Sequence, residues 1–414
     1  MQQTNRSIVW IMWALASFFY AYQYIIRVLP NIMMIDILER FQIDAALFGQ
    51  YSGLYYIGYA GMHIPLGILL DKYGPKWVLP ISIVMTSIGL IPLIYAENWI
   101  YPCFGRMLIG MGSSAAILGV FKIIHLTFNE AKFSLMLGFS VMIGLLGAIY
   151  GGQPLNYLIS SYGSTLVIQG LILIGVLLAI ATVIVLPKHE VQPTDEKWWK
   201  NIFSVLSKPH VLGICIFAGL MVGPLEGFAD VWGKEYLKAV YLLTEMQAAS
   251  LPSMIFLGMC FGSPIISWAA SKTKAYFEFL IICGLLMGGA FTWLLLGTLP
   301  ISLMGALFIG IGILSAYQIL AIYLASSYVK EHLVGLTTAC ANMIIMIFGY
   351  IFHSSIGKMI QSAWTGEWTN NGVPFISPDA YTYGLSVIPI GLFIGAIGFT
   401  LIRLFKNSKL LLLI

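Results

Sequence analysis

Charged residues are scarce in this sequence, and several of those present lie inside long apolar stretches. Arg27 follows Tyr20, Gln23 and Tyr24 by seven, four and three residues, a spacing that lays all four on one helical face. A guanidinium inside an apolar span is costly and is expected to face a protein interior or a wet cavity. There it can grip a carboxylate through two parallel N–H bonds. The alternative is an Arg that snorkels to the outer headgroups, since Arg27 lies past the middle of its stretch. Arg106 and Lys122 share another stretch, sixteen residues apart. On a helix they point about 160° away from each other. One of the two is expected to reach a central site, the other to be structural or snorkelling. Lys122 shares a face with His125, and Arg106 lies in a glycine-bearing motif.

Glu226 occurs in Gly223-Pro224-Leu225-Glu226-Gly227, where Pro and Gly are expected to bend the helix. It is the candidate proton carrier or amine ligand; the other reading is an acid exposed at the outer mouth beside Asp230. Gln318 and Asn342 are uncharged polar candidates for substrate contact, or for bonds between helices.

The elements that must position these residues follow from composition. Hydrophobic residues make up 59% of the 414 positions and charged residues 9%, against about a quarter charged in a soluble domain. Apolar runs of about 20 residues recur from end to end, each long enough to cross a hydrocarbon core of roughly 30 Å as a helix. Alternating ten-residue segments of a membrane barrel are absent. The spans are expected at 7–31, 46–70, 76–95, 99–128, 133–159 and 165–186, then at 211–231, 246–270, 276–296, 301–328, 333–360 and 381–404. The first stretch is too long for a signal peptide and lacks a small-residue cleavage site, so it reads as the first span. A charged linker over 187–209 separates a first bundle, 1–186, from a second, 210–414. Cys103, Cys215, Cys260, Cys283 and Cys340 all fall in apolar stretches and form no CxxC pair, which suits small buried residues.

With the N-terminus in the cytoplasm, nearly all loop Lys and Arg fall inside, leaving Arg40, Lys234, Lys238 and Lys358 outside. Both termini and the linker are therefore expected to be cytoplasmic. An internal repeat supports two similar halves. At an offset of 200, Gly58 falls on Gly258, Lys72 on Lys272, and Gly110-Met111-Gly112 on Gly310-Ile311-Gly312. A later step to 202 places Ser140 on Asn342 and Gly147 on Gly349. Same-direction repeats of six spans suggest two bundles about an axis normal to the membrane.

Between the second and third spans runs Gly67-Ile-Leu-Leu-Asp71-Lys72-Tyr-Gly74-Pro-Lys76. Physically it is a tight turn in which Gly74 permits an unusual backbone angle and Asp71 can accept from a helix N-terminus. The segment resembles the G-x-x-x-D-[RK]-x-G-x-[RK] signature of the major facilitator superfamily. Arg106-Met-Leu-Ile-Gly110-Met-Gly112 resembles that family's fourth-helix motif, and Gly144-Leu-Leu-Gly147-Ala-Ile-Tyr-Gly151-Gly152-Gln-Pro154 its fifth-helix motif. Tyr-Ile-Ile-Arg27-Val-Leu-Pro30 and Trp232-Gly233 with Tyr236-Leu237 are similar to the phagosomal nutrient transporters and organic-anion transporters within it. The resemblance implies an all-α membrane fold of twelve helices in two six-helix pseudo-symmetric bundles. It implies a cavity lined by helices one, four, seven and ten. It assigns a gating latch to Gly67, Asp71, Lys72, Gly74 and Lys76, complete only in the first half because Ser271 stands where the second copy would need an acid.

The combined reading is a secondary transporter of the inner membrane with alternating access. Arg27 with Tyr20 and Tyr24, Arg106 or Lys122, Gln318 and Asn342 are its candidate substrate contacts, and Glu226 its proton-coupling group. Basic and acidic residues on opposing halves suit a zwitterion or carboxylate, an amino acid first, then a small organic anion; nucleosides, peptides and siderophores stay open. The expected partners are the lipid bilayer, the solute and a coupling proton, with a monomeric protein and no nucleic acid. No cofactor or metal is expected; the lack of a Walker GxxxxGK[ST] loop speaks against ATP-driven pumping, and the lack of an HExxH pair, GxSxG elbow or Cys/His cluster against an enzyme. A transporter-like sensor that binds without moving its ligand is the rival of another class. The topology is tested by single cysteines at positions 5, 195 and 370 in a cysteine-free background. Membrane-impermeant reagent added outside should label position 370 alone, and labelling of position 195 would overturn the map.

Overall fold

The computed structural model describes residues 6–187, 198–369, 372 and 374–407. Among these, eleven helices are long and apolar enough to cross a membrane, and a pair bent by 41° makes a twelfth span. In chain order they are α1 (Ser7–Phe41), α2 (Ala45–Tyr73), α3 (Pro75–Tyr95), α4 (Ile100–Thr127), the bent α5 (Leu135–Tyr150 with Gln153–Tyr162) and α6 (Ser164–Val185). The second set is α7 (Pro209–Tyr241), α8 (Glu245–Thr273), α9 (Tyr276–Leu295), α10 (Ile301–Ser326), α11 (Val334–Ser362) and α12 (Pro378–Phe405). The twelve-helix, all-α membrane fold expected from the sequence is the fold observed.

Two spans run about ten residues beyond their expected ends. Hydropathy falls at Asp36 and Glu39 in α1 and at Lys234 and Glu235 in α7, but the helices do not stop there. At 1.5 Å per residue the 35 residues of α1 reach about 50 Å, so polar residues continue one helix past the hydrocarbon. Within the 187–209 linker, residues 188–197 lie outside the described residues, and with them His189, Glu190, Asp195, Glu196 and Lys197. The remainder forms a short helix, Trp198–Leu206, which buries Ile202 and Val205 and exposes Phe203.

Packing groups the chain into two compact units. The first comprises Met1–Met33 and Leu54–Asp195, the second Met34–Gly53 and Glu196–Ile414. The segment 34–53 thus packs with the second half of the sequence, although it precedes the linker. Its glycines explain the fit. Gly49 has the His353 carbonyl oxygen 2.4 Å from where a Cβ would stand, and Gly53 faces Tyr350. Phe48 meets Trp232 edge to face at 5.5 Å.

In the first unit α3 packs on α4 and α6, and Tyr22 of α1 ties this group together. Its hydroxyl shares a hydrogen bond with Ser87 Oγ at 3.0 Å and donates to Leu171 O at 2.9 Å. In the second unit α8 packs on α10 and α9 on α12. The Tyr317 hydroxyl donates to Ala218 O at 2.7 Å, joining α10 to α7.

The internal repeat is visible in how the helices touch. A methyl on Gly58 would stand 2.1 Å from Met107 O, and one on Gly110 would stand 1.9 Å from Tyr55 O. In the second unit a methyl on Gly258 would collide with Ile309 O, and one on Gly312 with Ile255 O. So α2 maps on α8 at an offset of 200, while α4 already maps on α10 at 202: Met107 on Ile309, Gly110 on Gly312. This corrects the expected match of Gly110 to Gly310, around which a methyl would meet nothing within 4 Å. The sequence misleads because both spans carry a G-x-G pair whose two glycines align at an offset of 200, whereas at 202 only Gly110 and Gly312 coincide. Gly110→Ala and Gly312→Ala should each cost about 1–3 kcal/mol through overpacking against a backbone carbonyl. Gly310→Ala should leave the melting temperature in detergent unchanged or slightly raised, which a thermal unfolding series checks.

Candidate functional site

In the first unit the site is built on a proline. Pro30 lies inside α1, has no N–H to offer, and leaves the Ile26 carbonyl without its intrahelical donor. Arg106 of α4 fills the gap. Its Nη1 donates to Ile26 O at 3.0 Å and its Nη2 to Arg27 O at 2.7 Å. Its guanidinium carbon lies 5.0 Å from the centre of the Tyr55 ring. Arg106 is therefore the fully buried residue that fixes α1 on α4.

One residue along, the Arg27 side chain is 4% exposed and lies among aromatic faces. Its guanidinium carbon is 5.1 Å from the Tyr24 ring centre, 5.3 Å from Tyr56 and 6.0 Å from Tyr55. Tyr20 meets Tyr24 edge to face at 5.2 Å, and Gln23 accepts from the Tyr55 hydroxyl at 2.7 Å. The stripe expected from spacing, Tyr20, Gln23, Tyr24 and Arg27, is thus one contiguous cluster. The tyrosines of α2 belong to it as well, which the sequence reading does not anticipate. Tyr55, Tyr59 and His63 recur at four-residue intervals, and their rings stack in sequence, Tyr55 on Tyr59 at 6.0 Å and Tyr59 on His63 at 5.3 Å. That i, i+4, i+8 spacing is the signal from which they could be found.

Lys122 takes a different place from Arg106, as their angular separation required. Its Nζ is 2.7 Å from Asp71 Oδ1, with Asp71 69% exposed and Lys122 19%. The pair opens on a cavity of about 440 Å³ walled by His125, Phe121 and Phe133. The turn itself contains Gly74 at φ +75°, the angle glycine permits. The helix starting at Pro75 has no side-chain cap, so Asp71 accepts from Lys122 rather than from that N-terminus. Lys76 turns to the far end of α6, donating to Val183 O at 2.8 Å and Leu186 O at 2.5 Å. It complements the C-terminal carbonyls and dipole of that helix. Lys72 lies over the Tyr73 ring at 5.2 Å, and Gly67 lines the Asp71 cavity.

In the second unit the Pro/Gly segment of α7 does more than bend. Gly223–Trp232 is a ten-residue π-helix. Such wide turns are rare and cluster at functional sites. They direct Glu226 and Asp230 inward, each 1% exposed. Glu226 is therefore a buried acid and not a group at an open mouth. Gln318 of α10 is also buried, and Asn342 of α11 is partly so. Beyond the π-helix, Lys234 and Lys238 bridge to Glu235 and Glu245, a network that the sequence reading does not assemble. Among the described residues no group of three or more His, Cys, Asp or Glu is placed to hold a metal ion.

Comparison with known proteins adds a family. The Major Facilitator Superfamily profile matches residues 11–353. Two curated relatives are similar over part of the chain. An uncharacterized transporter, YybO of Bacillus subtilis (strain 168), is 27% identical over 123 residues, 30% of this chain and 28% of its own length. The putative metabolite transport protein NicT of Pseudomonas putida is 24% identical over 191 residues, 44% of this chain and 43% of its own. The chain thus spans less than half the length of these relatives. Among solved structures, a bacterial homologue of the human lysosomal transporter Spinster, inward-facing and unoccupied, superposes with a TM-score of 0.72 at 14% identity, covering 97% of each chain. A point mutant of the nucleoside transporter NupG gives 0.72 at 15% identity over 94% of this chain and 99% of its own. At these identities the likeness is one of fold.

Arg106→Ala should strip donors from two buried carbonyls. A hydrogen bond from a charged group is worth roughly 1.5–3 kcal/mol, so a large fall in melting temperature is expected. Arg106→Lys should recover only part of it, because one ammonium does not reproduce the planar fork. A melting temperature unchanged in Arg106→Ala would overturn this role.

Proposed function

The chain belongs to the major facilitator superfamily, and from that premise we propose that it is a secondary active transporter carrying a small polar metabolite by alternating access. The observation that carries the reading is Arg27, a guanidinium 4% exposed within a span and laid on tyrosine rings. A charge kept at that depth suits a site for a negatively charged group. In this proposal Arg27 anchors a substrate carboxylate beside Tyr20 and Tyr24. Gln318 and Asn342 offer neutral polar contacts from the second half. Glu226 carries the coupling proton or binds a substrate amine. The buried position of Glu226 on a π-helix supports either role, since burial favours an acid that holds a proton or a partner. An amino acid is the first choice of solute and a small organic anion the second; nucleosides, peptides and siderophores remain the wider set. Asp71, with Gly67, Lys72, Gly74 and Lys76, forms the gate on the cytoplasmic side, and the Asp71–Lys122 pair supplies its charge.

The same proposal places the protein in the inner membrane as a monomer, with both termini cytoplasmic. The excess of Lys and Arg in the loops on that side supports it. The alternative, a sensor that binds a nutrient and does not move it, differs in one measurement. Flux into proteoliposomes under any gradient excludes it, whereas binding without flux favours it.

The experiment begins with a thermal-shift screen of amino acids, nucleosides and organic acids, since a ligand of the folded form raises the melting temperature. Counterflow and pH-driven uptake then compare variants with the ligand found. Arg27→Ala should lose about ten- to hundred-fold in affinity, the worth of one charge-assisted bond, and Arg27→Lys somewhat less. Glu226→Gln should keep exchange and lose proton-driven accumulation if Glu226 carries the proton. Exchange and accumulation should fall together if it binds an amine. Wild-type affinity in Arg27→Ala would rule out the carboxylate anchor.

A further inference from the structure

Two spans are interrupted at related positions. In α4 the helix Ile100–Ser113 gives way to Ala115–Thr127 through Ser114, whose ψ is −20°. In α10 the helix Ile301–Ser315 gives way to Tyr317–Ser326 through Ala316, whose ψ is −6°. Ser114 and Ala316 are 202 residues apart, the offset at which the glycine contacts superpose these two spans. An α-helix holds ψ near −42°, so both junctions are flattened; Ala316 N–H bonds Ile313 O at 3.2 Å in a 3₁₀ turn, while Ser114 N–H keeps the α-type bond to Gly110 O at 3.1 Å. A 3₁₀ turn within a helix commonly marks a hinge. The recurrence of a flattened junction in both repeats makes it a feature of the architecture and not a local accident.

The neighbours of the two junctions differ. In the first unit His63 of α2 is 3% exposed, its ring stacks on Tyr59 at 5.3 Å and 21°, and its imidazole hydrogen-bonds the backbone of Ser114. In the second unit the matching α8 residue is Ser263, whose hydroxyl turns back on its own helix and donates to Met259 O at 3.1 Å. The α4 junction also separates two attachments of opposite kind. On one side Arg106 holds the carbonyls of α1, and on the other Lys122 holds Asp71. The angle of α4 at Ser114 therefore sets how the α1 contact and the Asp71 contact are placed relative to each other.

We propose that Ser114 is a hinge of α4 and that His63 is the positioning residue that pins it, linking the Arg106–α1 clamp to the Asp71–Lys122 pair. The pin acts through geometry: a ring fixed by Tyr59 offers one N–H to the backbone at the junction. Its use in alternating access rests on the transport reading, whereas the pin itself does not. Nitroxide labels at Phe104 and Leu126, exposed positions on either side of the junction, report the bend by pulsed electron–electron resonance in nanodiscs. Labels at Leu303 and Tyr323 serve as the α10 reference. His63→Phe keeps a stacking ring and removes the donor. It should broaden or displace the α4 distance distribution and leave the α10 distribution as it is. His63→Gln, which keeps an N–H of similar reach, should restore the wild-type distribution. If His63→Phe lowers the melting temperature enough to signal misfolding, His63→Met, also without a donor, takes its place. An α4 distribution in the donor-less variant that superposes on wild type overturns the pin, as does equal broadening in His63→Gln. Counterflow of a mixture of the twenty amino acids gives the second arm. The donor-less variant should exchange about ten-fold more slowly at unchanged half-saturation, a barrier effect without a binding effect. Wild-type exchange in that variant overturns the coupling role. Absence of exchange in the wild-type protein counts against the amino-acid reading and leaves the distance measurement to decide the pin.

Discussion

A proline inside a membrane span exposes a carbonyl, and lipid has no donor to give it. An unsatisfied backbone group in hydrocarbon costs several kcal/mol, so the helix survives only where a neighbour supplies the bond. Pro30 sets that requirement in α1 and Arg106 meets it. The consequences spread outward from this clamp. Arg106 must reach α1 across the face of Tyr55, and Tyr55 is close enough because Gly110 presents no side chain to its carbonyl. The second bond of the clamp fixes the backbone of Arg27, and with it the direction in which the Arg27 side chain enters the tyrosine cluster. One proline, one arginine and one glycine therefore define, with the Tyr55 backbone they meet, the position of Arg27, the proposed anion ligand.

The second repeat solves the corresponding problem without a charge. At the offset of 202, the residue matching Arg106 is Phe308, which is fully buried and packs against Phe228 of α7 at 5.4 Å. The irregular backbone of α7 is accommodated by a π-helix over Gly223–Trp232, which keeps its hydrogen bonds by widening the turn. The two units thus share helix contacts through small residues, yet one holds its first helix by a guanidinium and the other by aromatic packing. Chemical asymmetry is laid over a symmetric frame, with a basic cluster in one unit and two buried acids in the other.

Much of the frame is legible in the sequence because it depends on local rules. Apolar length gives the spans, and the three- and four-residue spacing from Tyr20 to Arg27 gives a face. Pro224 with Gly223 and Gly227 gives a disturbed helix, though not its π form. What is not legible depends on partners distant in sequence. Asp71 and Lys122 are 51 residues apart, and neither reveals that it pairs with the other and not with a helix end. Arg106 carries a motif that suits a site residue equally well, and only the Pro30 carbonyl discloses its structural work. The helix ends past residues 31 and 231 stay hidden because hydropathy reports where lipid stops, not where a helix does. His63 is legible as the third member of the Tyr55, Tyr59, His63 series, but its partner at Ser114, 51 residues further on, is not.

The cations in the span interiors of the first unit can then be sorted by which part of each is engaged. Arg106 spends its N–H edge on backbone carbonyls, and Lys122 directs its ammonium at a carboxylate. Arg27 is different, because its guanidinium carbon lies over the rings of Tyr24, Tyr55 and Tyr56. A cation on ring faces is held by the quadrupoles of the rings, while its hydrogen-bond donors lie in the plane at the edge. In the proposed role, a carboxylate would take those in-plane donors and leave the aromatic support in place. An arginine clamped through its edge must give up backbone bonds to take a ligand, with α1 losing its attachment in the process. That difference in what must be broken is the physical argument behind the proposal of Arg27, rather than Arg106, as the substrate anchor, while Arg106 holds α1 on α4.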